Sequence, residues 1–121
     1  MINYHFVWIP KRRKKVLIGE VAKRLEELLY LKCKELDLTI LALEIMPDHV
    51  HLFLSSPTTW SPHQIMFRLK GYSSKVLREE FPHLLKLPSL WTRSYYCGSA
   101  GDVSSETIKK YIANQRNFDT T

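Results

Sequence analysis

Two long helical patterns divide this sequence, and their placement between strand-like runs constrains the fold more than any other feature. From Val16 to about Leu36, and from Pro62 to about Glu80, apolar residues recur at steps of three and four. Strand-like runs, rich in β-branched, aromatic and alternating residues, occupy positions 2–9, 38–46, 48–55 and 89–97. A last helical pattern begins near 102–104 and extends to about Arg116.

The predicted order is therefore β-α-β-β-α-β, followed by an extra helix. Four strands and two helices in this order are typical of the split-βαβ, ferredoxin-like α+β arrangement, in which one antiparallel sheet carries both helices on one face. Ser61, Pro62 and Gln64 predict a capping box at the start of the second helix. No long linker interrupts the 121 residues, so we expect a single domain over 1–121.

The charge balance favours a polyanionic partner. Lysine and arginine outnumber the acidic residues by 18 to 12, giving a net charge of +6. This excess fits nucleic acid first and an anionic membrane surface second, although a basic surface can also serve solubility. The apolar runs are shorter than a membrane span needs, and the N-terminal charges follow the apolar stretch, unlike a signal peptide. Two distant cysteines fit a reduced, cytoplasmic compartment better than a disulfide framework.

Alternation in the run MPDHVHLFLSS, residues 46–56, places His49 and His51 on one face of a strand. Val50, Leu52 and Leu54 share the other face, which we expect to contact the helices, while the histidines lie on the more open face. The imidazoles either bind one metal ion or are two polar rings facing water. A zinc hydrolase is a further alternative. It would need a base that activates water, and neither Glu44 nor Asp48 has specific support for that role.

Tyr111 and Gln115 are four residues apart in the last predicted helix and are therefore neighbours on one of its faces. They are either a plain surface pair or part of the same site as the histidines. In the functional interpretation, the Gln115 oxygen completes a His-His-Gln metal site and Tyr111 acts as a nucleophile. A phenol needs a nearby cation or base for that role, and an open metal site meets this need.

Basic residues cluster in the turn after the first strand and along the second helix. Such clusters hold phosphates by charge, independently of base sequence. Aromatic side chains at 72, 91, 95 and 96 could stack bases, with core packing as the alternative. The predicted DNA-binding residues are Arg12, Arg13, Lys14, Arg68, Lys70, Lys75 and Arg78.

Several segments together resemble one family. In chain order they are NYHFVWIPKRRKKVL, EIMPDHVHLFLSSP, LKGYSSKVLREEFP, LWTRSYYCGSAG and SSETIKKYIANQ. They are similar to single-tyrosine HUH transposases of the insertion-sequence-200-like class, which move bacterial and archaeal insertion sequences as single-stranded DNA. HUH denotes two histidines around a bulky apolar residue, here His49-Val50-His51, and the resemblance runs from about Asn3 to Gln115.

The resemblance implies functions for the two histidines and for the tyrosine and glutamine of the last predicted helix. His49, His51 and Gln115 would bind a divalent ion, Mg²⁺ or Mn²⁺, and Tyr111 would be the catalytic tyrosine. The activity implied is metal-assisted transesterification of single-stranded DNA with hairpins at the element's ends, through a 5′-phosphotyrosine intermediate. The family also implies a homodimer in which each active site is shared between subunits.

Two alternatives stay open on the sequence. One is a domesticated relative with the same chemistry and a host role, such as cleaving repeated chromosomal hairpins. The other is a non-catalytic nucleic-acid-binding module, which would tolerate Tyr111→Phe; the usual RNA-reading strand signature is not evident. No function is predicted for His5, His63, His83 or the two cysteines.

Overall fold

The fold of residues 1–99 is described by a computed structural model. Its helices and strands follow the predicted order as far as the fourth strand. In chain order they are β1 (Ile2–Trp8), α1 (Gly19–Glu35), β2 (Thr39–Met46), β3 (His49–Ser56), α2 (Pro62–Glu80) and β4 (Tyr96–Ser99), with 3-10 turns at Lys11–Arg13 and Pro82–Lys86. The predicted last helix, with Tyr111 and Gln115, lies outside the described residues.

The four strands form one antiparallel sheet in the order β2-β3-β1-β4. Each helix connects two strands that are separated by a third, which is the split-βαβ arrangement. The ferredoxin-like α+β prediction is therefore confirmed. β3 and β1 are the central strands and pair along their whole length, from Ile2 opposite Ser56 to Trp8 opposite Val50.

The hydrophobic core lies between the sheet and its two helices. Val50, Leu52 and Leu54 of β3 are fully buried there, as the alternation predicts. They belong to one cluster with apolar residues of β1, α1 and α2, among which the largest buried rings are Phe6 and Trp8. The period-two pattern thus directs the histidines of β3 to the opposite face of the sheet.

The start of α1 differs from the prediction. The helix begins at Gly19 and not at Val16, because Ile18 is extended and Leu17 donates its backbone N–H to the Pro47 carbonyl at 3.0 Å. Gly19 has a φ of +55°, a conformation that glycine adopts without steric cost. The segment before α1 is therefore attached to the β2–β3 turn.

The start of α2 confirms the predicted capping box. The Gln64 backbone N–H donates to Ser61 Oγ at 3.1 Å, and the Ser61 backbone N–H donates to Gln64 Oε1 at 2.9 Å. Pro62 occupies the first helical position, where its missing N–H costs nothing.

The predicted boundaries of the fourth strand were wrong. β4 covers only Tyr96–Ser99, whereas the prediction placed a strand over 89–97. The first two aromatic residues of that run contact α2 instead. Trp91 donates its indole N–H to Ser73 Oγ at 3.1 Å, and Lys70 Nζ donates to the backbone carbonyls of residues 92–94. These contacts hold the segment against the helix. Within residues 1–99 its pairing with β1 is limited to an isolated bridge between Pro10 and Trp91.

Candidate functional site

The two histidines of the HUH pattern meet on the sheet face opposite the helices. Their ring centres lie 5.0 Å apart and their planes are nearly perpendicular, at 83°. His49 follows the tight turn between β2 and β3, and His51 lies opposite Glu44 and Val7 of the neighbouring strands. Only 7% of His51 is exposed, so this face is less open at His51 than the sequence suggested.

Asp48 connects His49 to the basic turn after β1. The His49 Nδ1 atom lies 2.7 Å from Asp48 Oδ1, and Arg13 Nε donates to Asp48 Oδ2 at 3.0 Å. Burial alone would raise the pKa of the Asp48 carboxyl, but the His49 hydrogen bond and the Arg13 charge together lower it. Asp48 is therefore an ionised carboxylate at neutral pH, held between a guanidinium and an imidazole.

His5 lies beside His51, as Asp48 lies beside His49. Its Nε2 atom lies 3.2 Å from His51 Nδ1, and its ring stacks on Phe53 with centres 4.0 Å apart. Burial, and then the charge of His51, lowers the pKa of His5 to about 4, so His5 is neutral at pH 7. Sequence reasoning assigned His5 no function. The register of the β1–β3 pairing is what places it near His51.

Glu44 is a second buried carboxylate on the histidine face. It lies opposite His51 in the β2–β3 register and is 4% exposed. Within residues 1–99, however, no group of three His, Cys, Asp or Glu side chains is arranged to hold a metal ion. The predicted third ligand, Gln115, and the predicted nucleophile, Tyr111, lie outside the described residues and stay predictions.

The predicted DNA-binding residues of the basic turn are exposed. Arg12 and Arg13 have φ values of 57° and 52°, which is the left-handed region that non-glycine residues rarely adopt. Lys14 follows them and is also exposed. The side chain of Arg13 is 65% exposed although it pairs with Asp48. The turn therefore brings positive charge next to His49.

The basic residues of α2 separate into two groups. Arg68 and Lys75 are exposed, and the Arg68 guanidinium lies over the Trp60 ring, 5.8 Å from its centre. Lys70 instead binds three carbonyls of residues 92–94, and burial lowers the pKa of its ammonium. Arg78 donates to the Leu87 carbonyl at 3.0 Å. Lys70 and Arg78 therefore hold neighbouring backbone segments against α2.

A groove of about 610 Å³ lies between α2 and the segment that precedes β4. Its lining includes Phe67, which is 71% exposed, together with Trp91 and Tyr95. Lys11 and Arg93 add positive charge to this lining. Proteins that bind single-stranded nucleic acids combine aromatic faces, on which bases stack, with nearby cations.

Comparison with known proteins assigns the family. The model of the family described as "Transposase IS200 like" matches residues 1–115. The chain belongs to this family. The ISDra2 transposase TnpA of Deinococcus radiodurans is 33% identical over 117 residues, covering 94% of this chain and 84% of the relative. The transposase for insertion sequence element IS200 of Salmonella typhimurium is 33% identical over 116 residues, covering 93% and 76%.

Two solved structures have a similar fold. A crystal structure of a Deinococcus radiodurans R1 protein assigned as a transposase aligns with a TM-score of 0.77 and 36% identity, covering 94% of this chain and 90% of that one. A REP-associated tyrosine transposase aligns with a TM-score of 0.61 and 14% identity, covering 92% and 62%. The second likeness shows the fold alone.

Neither α1 nor α2 has the length and apolar character that a membrane-crossing helix needs, and the same holds for every other helix within residues 1–99.

Proposed function

We propose that this chain cleaves and rejoins single-stranded DNA at insertion-sequence ends through a 5′-phosphotyrosine intermediate. Membership of the IS200-like transposase family supports a DNA-processing enzyme. The observation that carries the finer proposal is the position of His49 and His51, whose rings meet on one sheet face beside an ionised carboxylate and a basic turn.

The histidine pair fits a shared divalent ion. Two imidazoles bound to one ion through Nε2 have ring centres at most about 6.5 Å apart, and the observed separation is 5.0 Å. We propose that His49, His51 and the Gln115 amide oxygen would hold Mg²⁺ or Mn²⁺. The amide oxygen suits these ions, and the imidazoles would also accept zinc. When bound, such an ion polarises a phosphate oxygen and offsets the negative charge that develops during transesterification.

Tyr111 supplies the nucleophile in this proposal. Its phenolic oxygen forms a bond to phosphorus while the bond from phosphorus to the 3′ oxygen breaks. The phenolic proton is lost and the departing oxygen takes up a proton, which leaves a 5′-phosphotyrosine link and a free 3′-hydroxyl. Because the link conserves a phosphodiester, another 3′-hydroxyl can attack it and reseal a strand without ATP. Transesterification therefore suits the excision and insertion of a mobile element better than simple hydrolysis of the strand does.

We propose that the DNA carries hairpins near the ends of the element. Exposed cations of the basic turn and of α2 would contact its phosphates, with Arg68 and Lys75 on one flank of the helix. The groove beside Phe67 and Trp91 would accept unpaired bases. The REP-associated tyrosine transposase was solved bound to a REP hairpin, so this fold can receive such DNA.

We also propose a homodimer in which the tyrosine helix of one subunit serves the histidine pair of the other. The family resemblance motivates this arrangement. Mixing a Tyr111→Phe chain with a His49→Ala chain tests it, because a shared site regains activity in the mixed dimer while a site within one chain does not.

The principal test incubates the purified chain with Mn²⁺ and a hairpin-bearing oligonucleotide from the element's end. We expect a covalent protein–DNA adduct on a denaturing gel, lost in the Tyr111→Phe variant and on removal of the metal by a chelator. Tyr30→Phe, at an exposed tyrosine of α1, is the matched control and should keep the adduct. An adduct that persists in Tyr111→Phe would overturn the assignment of the nucleophile.

A further inference from the structure

Both histidines of the pair have a polar partner at the same ring atom. The His49 Nδ1 atom lies 2.7 Å from a carboxylate oxygen of Asp48. The His51 Nδ1 atom lies 3.2 Å from the Nε2 atom of His5. The two partners come from different parts of the chain, one from the β2–β3 turn and one from the middle of β1.

Such partners decide which ring nitrogen can bind a metal. A neutral imidazole carries its hydrogen on one nitrogen and its lone pair on the other. An acceptor at Nδ1 favours the tautomer with hydrogen there and so presents the lone pair at Nε2. A carboxylate can only accept, so the Asp48 contact requires an Nδ1–H on His49. The His5 contact permits the same tautomer on His51 when His5 carries its own hydrogen on Nδ1.

We propose that Asp48 and His5 are positioning residues that orient His49 and His51 so that both rings present Nε2 to one divalent ion. This inference rests on the proposed metal-dependent function. It assigns a role to two residues whose side chains would not bind the ion or touch the DNA. Each acts only through the histidine beside it.

Both partners are themselves held in place. Asp48 is fixed on its other oxygen by Arg13, and the turn that carries it receives the Leu17 backbone N–H at Pro47. The His5 ring is stacked on Phe53 with only 7° between the planes. The residues before and after His5 in β1 are both paired with β3. A partner that is already ordered loses little entropy when it orients a ligand, which is the value of such outer contacts in metal sites.

The first experiment measures tautomers directly in the metal-free chain. Side-chain ¹⁵N NMR of labelled histidine distinguishes a protonated Nδ1 from a protonated Nε2. We expect His49 and His51 to carry hydrogen on Nδ1, with His49→Ala and His51→Ala spectra providing the assignments. Predominant protonation of Nε2 in either ring would overturn the proposal for that ring, whatever the metal affinity is.

The second experiment measures Mn²⁺ affinity by electron paramagnetic resonance. We expect Asp48→Ala and His5→Phe each to weaken binding by about 10- to 100-fold. Asp48→Asn and His5→Gln keep an acceptor and should lose only a few-fold. Glu79→Ala and His83→Phe, at exposed positions of the helix and the turn after it, are matched controls and should bind Mn²⁺ as the parent chain does.

The outcomes separate this inference from the proposed function. A parent chain that does not bind Mn²⁺, or a His49→Ala chain that binds it unchanged, would refute the metal site itself. Loss of binding in His49→Ala combined with unchanged binding in Asp48→Ala and His5→Phe would refute only the positioning role. Equal losses in the acceptor-removing and the acceptor-keeping variants at a position would also refute it, because a structural defect would then explain both.

Discussion

The two faces of β3 differ in what their side chains contact. On one face Val50, Leu52 and Leu54 are fully buried beneath the helices. On the other, His49 and His51 contact an ionised carboxylate and a neutral imidazole. One strand therefore contributes apolar area to folding and imidazole rings to the candidate site. A substitution on one face should change one property and largely spare the other.

The largest effect is expected from His51→Ala. If His51 is one of two imidazole ligands, as proposed, its loss should lower Mn²⁺-dependent adduct formation by at least about 100-fold. The free energy of unfolding should fall by about 1–3 kcal/mol, since a buried ring is removed and His5 loses its partner. Ser55→Ala, on the same face of β3, is the control and should keep the activity. If Ser55→Ala lowers adduct formation as much as His51→Ala does, the loss is not specific to the imidazole.

Leu52→Ala tests the opposite face. Truncating this fully buried side chain should lower the free energy of unfolding by about 2–5 kcal/mol, measured by urea denaturation. Chains that remain folded should bind Mn²⁺ with the parent affinity. Leu31→Ala, at an exposed leucine of α1, should change stability by no more than about 0.5 kcal/mol. Similar losses from both leucines would contradict the assignment of the core.

A second contrast lies along α2, where Lys70 binds backbone carbonyls and Lys75 is exposed. Lys70→Met should lower the free energy of unfolding by about 1–3 kcal/mol, because the carbonyls of residues 92–94 lose their donor. Thermal or urea unfolding measures this change, with Lys75→Met as the control. Equal stability of the two methionine variants would show that the Lys70 contacts contribute nothing.

Lys75→Ala should produce the smallest effect, and in DNA binding only. Affinity for a hairpin oligonucleotide should fall a few-fold, and the salt dependence should weaken by about one phosphate contact. Fluorescence anisotropy at several salt concentrations measures both. Lys23→Ala removes another exposed lysine, from α1, and should leave affinity and salt dependence unchanged. A matching decrease in both variants would indicate that only the total charge matters.

Periodicity predicted the sheet and both helices, because helical and strand patterns differ in period and tolerate errors of a few residues. It failed at the fourth strand, since Trp91 and Tyr95 have strand propensity but pack against α2 and line its groove. Local propensity cannot show which surface an aromatic ring will contact.

The candidate site was predicted only in part, for a related reason. His49 and His51 are recognised because they are two residues apart in one strand, so the local pattern places them together. His5 is distant in sequence and becomes relevant only through the register of β1 and β3. Likewise, charge alone did not separate Lys70 and Arg78, which bind backbone carbonyls, from the exposed Arg68 and Lys75.

The β2–β3 turn is anchored at two points to the loop that connects β1 to α1, through the Arg13 side chain and the Leu17 backbone. Between the anchors lie three residues, 14–16, which must span a set distance. Their side chains can vary in charge, but an insertion there would displace one anchor and tilt the imidazole that follows the turn. Among chains built this way, the length of that short bridge should therefore change far less than its composition.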